Sequence, residues 1–150
     1  MAAGDIQYEY AFWLLPVSKN ATAAITKGDV VSLPNGRKCT TGDGGPFGVA
    51  IADIVNGEDM KGKVLFKGAI DVVANGVINQ FTYLKPAANG RVESATKIAV
   101  AVPSGATPVT STAAQPDLTE SGSIPPDGLV GSNLDPAAQA GDIITILLGA

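Results

Sequence analysis

"AITKGDVVSLPNGRKCTT", residues 24–41, decides how this chain folds. It reads as a strand over Asp29 to Leu33, a tight turn at Asn35-Gly36 and a second short strand. Asn-Gly suits a hairpin because both residues accept a positive φ at little cost. The pattern returns in "VINQFTYLKPAANGRVESA", residues 77–95, with one inserted residue. Ile25 then meets Ile78, and Asn35-Gly36-Arg37 meets Asn89-Gly90-Arg91.

A second pair of segments follows in the same order. "GVAIADIVNGEDMKGKVLFKGA" (48–69) matches "GLVGSNLDPAAQAGDIITILLGA" (128–150), again with one inserted residue. Gly48 meets Gly128, and each segment ends in Gly-Ala after an apolar strand. A β unit that cannot cover its own apolar face packs against its copy. The expected fold is all-β: a small, pseudo-duplicated, barrel-like domain over residues 24–150. Its first half covers about 24–76 and its second about 77–150, behind an extended N-terminal arm of residues 1–23.

Outward from these blocks, "GKVLFKGAIDVVANG" and "KIAVAV" supply further strands, and Asn75-Gly76 marks another turn. Val49 to Ile54 is an apolar stretch too short for a helix. Residues 103–126 hold five prolines and eight Ser or Thr, and read as a long extended loop. "GDIITILLGA" closes the sequence with an unbroken apolar run, expected to be a strand covered on both faces.

Composition narrows the function. The chain has 18 Gly and 10 Pro in 150 residues, which favours short strands and many turns over long helices. A net charge of −4 with a pI near 4.6 offers no footprint for a phosphate backbone, so nucleic acid is not an expected partner. No run approaches the length of a membrane span, and the basic region of a secretion signal is missing ahead of the first apolar stretch. Cys39 is the only cysteine, so no internal disulfide is expected; it fits a small, half-buried strand residue in a reducing, soluble compartment.

Histidine is absent, which removes the usual general base, the commonest metal ligand and every Ser-His or Cys-His pair. No catalytic residue, metal or cofactor is expected. "TGDGGPFG" (41–48) lacks the ending of a phosphate loop and the spacing of a dinucleotide fingerprint, and reads as a sharp turn. Lys61, Lys63 and Lys67 read as a solvent-facing stripe on one strand that guards a sheet edge.

The aromatic residues are distributed unevenly. Of one Trp, three Tyr and four Phe, four fall at Tyr8, Tyr10, Phe12 and Trp13. Tyr8, Tyr10 and Phe12 alternate with Gln7, Glu9 and Ala11, the period of an extended strand. One reading is a first strand that covers the core. The other is an arm for a partner, since the stretch precedes the duplicated unit, has no counterpart before the second copy, and carries rings that make large contacts with few rotors. Strand addition is the simplest mode of use.

The stretch "ITKGDVVSLPNGRKCTTGDGGPFGVAIADIVNGEDMKGKVLFKGAIDVVANG" resembles the small head proteins of tailed phages and related viruses, the capsid decoration or capsid fibre proteins. Its features are a Gly-Asp-hydrophobic strand start (Gly28 to Val31), a Pro-hydrophobic-Gly-Val-Ala turn (Pro46 to Ala50), Gly57-Glu58 before a strand, and a closing Val64 to Gly68. Phe81-Thr82 departs from the Gly-Asp expected in the second copy. The resemblance implies a β-tulip or β-clip barrel without enzymatic activity, on the outer surface of an icosahedral shell in the virion. It further implies a homotrimer that bridges neighbouring copies of the major capsid protein. Tyr8, Tyr10, Phe12, Trp13 and Leu14 would then be the residues that contact the capsid or a neighbouring protomer.

Two other function classes stay open at this point. A β-clip ligand- or carbohydrate-binding module would use "TGDGGPFG", the long loop and an aromatic platform among Phe47, Phe66, Phe81 and Tyr83. A carboxylate-only enzyme would use Asp53 or Asp59.

Overall fold

Val30 and Val31 show how the strands are built. Neighbours on an extended backbone point to opposite faces, and here both faces are covered. Val30 packs with Val49 and Leu65 in one apolar cluster, Val31 with Ala50 and Val64 in another, and all six are fully buried. Each contributes on the order of 1–3 kcal/mol of burial. The computed structural model describes residues 2–4, 13–95, 99–101, 119–121 and 128–148.

The strands are β1 (Trp13–Leu14), β2 (Val30–Ser32), β3 (Arg37–Lys38), β4 (Phe47–Ala50), β5 (Val64–Val73), β6 (Tyr83–Ala87), β7 (Arg91–Ser94), β8 (Ala99–Ala101), β9 (Thr119–Ser121), β10 (Gly131–Asn133) and β11 (Ile143–Leu148). One antiparallel sheet runs in the order β3-β2-β4-β5-β11-β10-β6-β7, with β1 also on β5. The chain is all-β, and this sheet curls into a half-barrel. Residues 96–125 form a separate unit, in which β8 and β9 pair from Ala99–Ser121 to Ala101–Thr119. The sequence reading of 103–126 as loop therefore missed a strand at Thr119–Ser121.

The sheet order is a palindrome about β5 and β11, and the duplication explains it. Ile25 exchanges both backbone hydrogen bonds with Ile54, and Ile78 does the same with Ala137. The Cys39 N–H donates to the Val30 carbonyl at 2.7 Å, and Ala95 to Tyr83 at 2.8 Å. Gly57 donates to Ala21, and Gly141 to Ala74. Both Asn-Gly turns close hairpins, β2–β3 and β6–β7.

Two registers differ from the sequence expectation. Gly48 sits opposite Val31, and Gly131 opposite Leu84, so Gly131 rather than Gly128 is the counterpart of Gly48. Both positions need glycine for the same reason. A Cβ on Gly48 would lie 2.3 Å from Val64 Cγ1, and one on Gly131 would lie 2.0 Å from the Leu147 carbonyl oxygen.

The second difference concerns where the halves meet. Residues Leu65 to Lys67 of β5 pair with β1, and Gly68 to Val73 pair with β11. The end of β5 thus does in the second half what β1 does in the first, and the aromatic segment has a counterpart after all. The halves join inside β5, near Gly68 with its φ of 136°, rather than at 76–77. Of the N-terminal arm, Trp13 and Leu14 are extended along β5, Leu15 donates to Val64 at 2.8 Å, and Gly4 donates to Asp71 at 2.7 Å. These residues are docked on their own chain.

The closing strand β11 is covered on one face only. Ile144, Ile146 and Leu148 are buried, whereas Ile143 and Leu147 are exposed. An unbroken apolar run carries no alternation by which sequence alone could tell the two cases apart.

Replacing Gly131 with Ala is expected to destabilise the fold by at least about 2 kcal/mol, because the added methyl meets backbone rather than a movable side chain. Ser132→Ala on the same strand should stay within about 0.5 kcal/mol of wild type. Urea denaturation of the two variants checks this; equal midpoints would contradict the close approach.

Candidate interaction surface

Trp13 stands at the junction of arm and domain. Its backbone is held by β5 opposite Lys67, and its ring is 60% exposed. The ring meets Phe66 edge to face, with centroids 5.9 Å apart at 64°, and Lys67 Nζ lies over it at 5.0 Å. Such a ring pair is worth about 0.5–1.5 kcal/mol and an exposed cation–π contact about 0.5–1 kcal/mol. The indole is therefore fixed in orientation yet largely uncovered. Leu14, next along β1, is partly buried against the core, and Leu15 is fully inside.

Of the five residues proposed from sequence, Trp13 offers an open contact face and Leu14 anchors the segment to the domain. Tyr8, Tyr10 and Phe12 lie outside the described residues. Phe66 and Lys67, which complete the cluster, were not singled out with the arm. Their proximity depends on β1 lying on β5, which no local pattern announces.

A second aromatic pair is exposed elsewhere: Phe81 at 73% and Tyr83 at 64%. Phe47 is buried. The three lysines do not share a strand. Lys61 and Lys63 lie in the turn before β5, where Lys63 pairs with Glu58, and only Lys67 is on the strand.

The polar groups are occupied with holding turns. Arg37 donates to Asp43 through both terminal nitrogens, at 2.8 and 3.1 Å, and the Thr40 N–H donates to the same carboxylate at 3.0 Å. This ties the "TGDGGPFG" loop to β3. Burial raises the Asp43 pKa, but Arg37 and the Thr40 N–H outweigh it and hold the carboxyl below its ordinary value. Asp53 accepts from the Lys27 N–H at 2.8 Å, and Asp59 from the N–H groups of Lys19 and Lys61 at 3.1 and 3.0 Å. The Lys61 N–H, then the Ser18 hydroxyl and the Lys19 N–H, lower the Asp59 pKa. Among the described residues no three His, Cys, Asp or Glu side chains gather as a metal site.

Cys39 is fully rather than half buried, with its thiol 3.4 Å from the Ala87 carbonyl oxygen. Burial pushes its pKa up to about 12. A nucleophilic or metal-binding role requires the thiolate, so Cys39 serves packing between the two halves.

Comparison with protein-family models, with curated proteins and with solved structures found no match.

Two outcomes follow from these environments. Cys39 should resist a disulfide-exchange reagent at pH 8 in the native chain and react at once in denaturant; rapid native labelling would contradict its burial. Because the Asp43 pKa is depressed on folding, its stabilisation is present above the ordinary carboxylate pKa and lost as pH falls through the folded value. Asp43→Asn should cost about 1–2 kcal/mol at pH 7, and the gap should close in acid. A gap that persists unchanged in acid would remove the ion pair as its cause.

Proposed function

We propose that this chain is a structural virion protein that binds the outer surface of an icosahedral shell and stabilises it by bridging neighbouring capsid subunits, as a trimer. The observation that carries this reading is the Trp13–Phe66–Lys67 cluster, an oriented and uncovered aromatic face where the aromatic segment joins the domain. The resemblance of residues 25–76 to capsid decoration proteins supports it. So does the frame: short strands and tight turns that hold the cluster in place without needing a ligand.

The mechanism is mass action. A protein that binds the assembled shell and not its separated subunits lowers the free energy of the shell alone. Threefold presentation turns modest single contacts into avidity. Trp and Tyr suit this role because they desolvate a large area while freezing few rotors.

Trp13 is the only tryptophan, so its emission reports directly on the contact. Mixed with shells assembled from the major head protein of the same genome, the chain should co-sediment, raise the shell's dissociation temperature and blue-shift its Trp13 emission. Trp13→Ala should lower the chain's own stability by only about 1 kcal/mol and weaken shell binding about tenfold or more. A wild-type chain that stays in the supernatant and leaves shell stability unchanged would sink the proposal. Selective binding on a glycan array in the same circumstances would move the reading to a carbohydrate module.

A further inference from the structure

The duplication provides an internal control for what each surface requires. In the first half, Val30, Val49 and Leu65 lie side by side across β2, β4 and β5, all fully buried against the rest of the domain. Their counterparts across β6, β10 and β11 are Tyr83, Ser132 and Leu147, again side by side in register. These are uncovered: Tyr83 is 64% and Leu147 38% exposed. The same sheet face is interior in one copy and open in the other.

A second observation marks the same place. The turn that leads into β2 holds Gly28 at φ 93°, and the equivalent turn into β6 holds Phe81 at φ 57°. A left-handed backbone costs a bulky L-residue roughly 1–2 kcal/mol. At Gly28 the space beside the α-carbon is filled by Ala3, whose methyl lies 2.4 Å from where a Cβ would stand. At Phe81 a large ring is instead held out to solvent, 73% exposed and two residues from Tyr83. Within the chain that ring returns little burial for the strain it imposes.

The charges bordering the face point the same way. Lys85 continues the Tyr83 side of β6 and pairs with Glu93 of β7 at 3.3 Å. One charge of each sign at the rim lets two copies of an otherwise acidic protein approach there without net repulsion.

We infer that the Phe81–Tyr83–Leu147 face is a self-association surface, and that its occupant is a second copy of this chain. The inference deepens the proposed assembly of several copies. It is tested without a shell, so that failure of one reading does not decide the other.

The experiment is sedimentation of the full chain over a concentration series, with a thermal melt of each variant. Wild type should form a species heavier than the 15.1 kDa chain as concentration rises. Tyr83→Lys with Leu147→Lys should remain folded and weaken association about tenfold or more, while Trp13→Ala should leave it unchanged. Phe81→Gly separates the two roles of that residue: it should raise the melting temperature of the dilute chain and still weaken association. A wild-type chain that stays monomeric at its solubility limit overturns the inference. So does association that survives the double lysine variant, or a Phe81→Gly chain that associates as wild type does.

Discussion

Strand β5 is the element on which the rest of the structure depends, because one continuous extended segment serves two sheets' worth of pairing. Its first residues bind β4 on one side and β1 on the other, and its last six bind β11 along their whole length. Neither half can complete its sheet without it. The apolar clusters on the two faces of the first half, and the shared core between halves, all include β5 side chains. A Gly at position 68, with φ at 136°, lets the backbone turn its allegiance from one half to the other.

This sharing also explains what was and was not legible in the sequence. The Asn-Gly turns, the Ile25 and Ile78 anchors and the barrel-like all-β class could be read from residues 24–41 and 77–95, because local turn chemistry and period-two patterning specify them. The join between halves could not. A strand that changes partners midway has the same composition as one that does not, so the division near 76–77 followed the visible Asn75-Gly76 turn. The Gly48 counterpart was misplaced at Gly128 for a related reason. Glycines are plentiful here, and only the close backbone approach at Gly131 distinguishes it from its neighbours. The run "IITILL" looked doubly buried because Ile and Leu read alike whether they face core or solvent.

The candidate contact face was half legible. The aromatic crowding up to Trp13 stood out by composition alone, whereas Phe66 and Lys67 reach Trp13 only through the β1–β5 pairing. Phe81 was visible as a departure from Gly-Asp in the second copy. Its meaning came from the backbone, since the turn kept the left-handed geometry that Gly28 adopts and accepted a phenylalanine in it. Where two copies of one unit differ, a residue that worsens local fit without gaining internal contact marks the surface where the copies have diverged in use. The buried Cys39 makes the opposite point: it fills the seam, and its chemistry is silenced by the same packing that makes it useful.

The β5–β11 pairing carries one more consequence, for the order in which the molecule forms. Synthesis proceeds from the N-terminus, and the first half can assemble from residues up to Lys67 with only nearby loops to close. Gly68 to Val73 must then wait for a partner encoded far downstream, beyond the 96–125 unit. Closing so long a span is entropically slow. Until Ile143 to Leu148 leave the ribosome, "AIDVV" remains an unpaired apolar edge. Ala2 to Gly4, already bound along it through Asp71, are placed to occupy part of that edge during the delay.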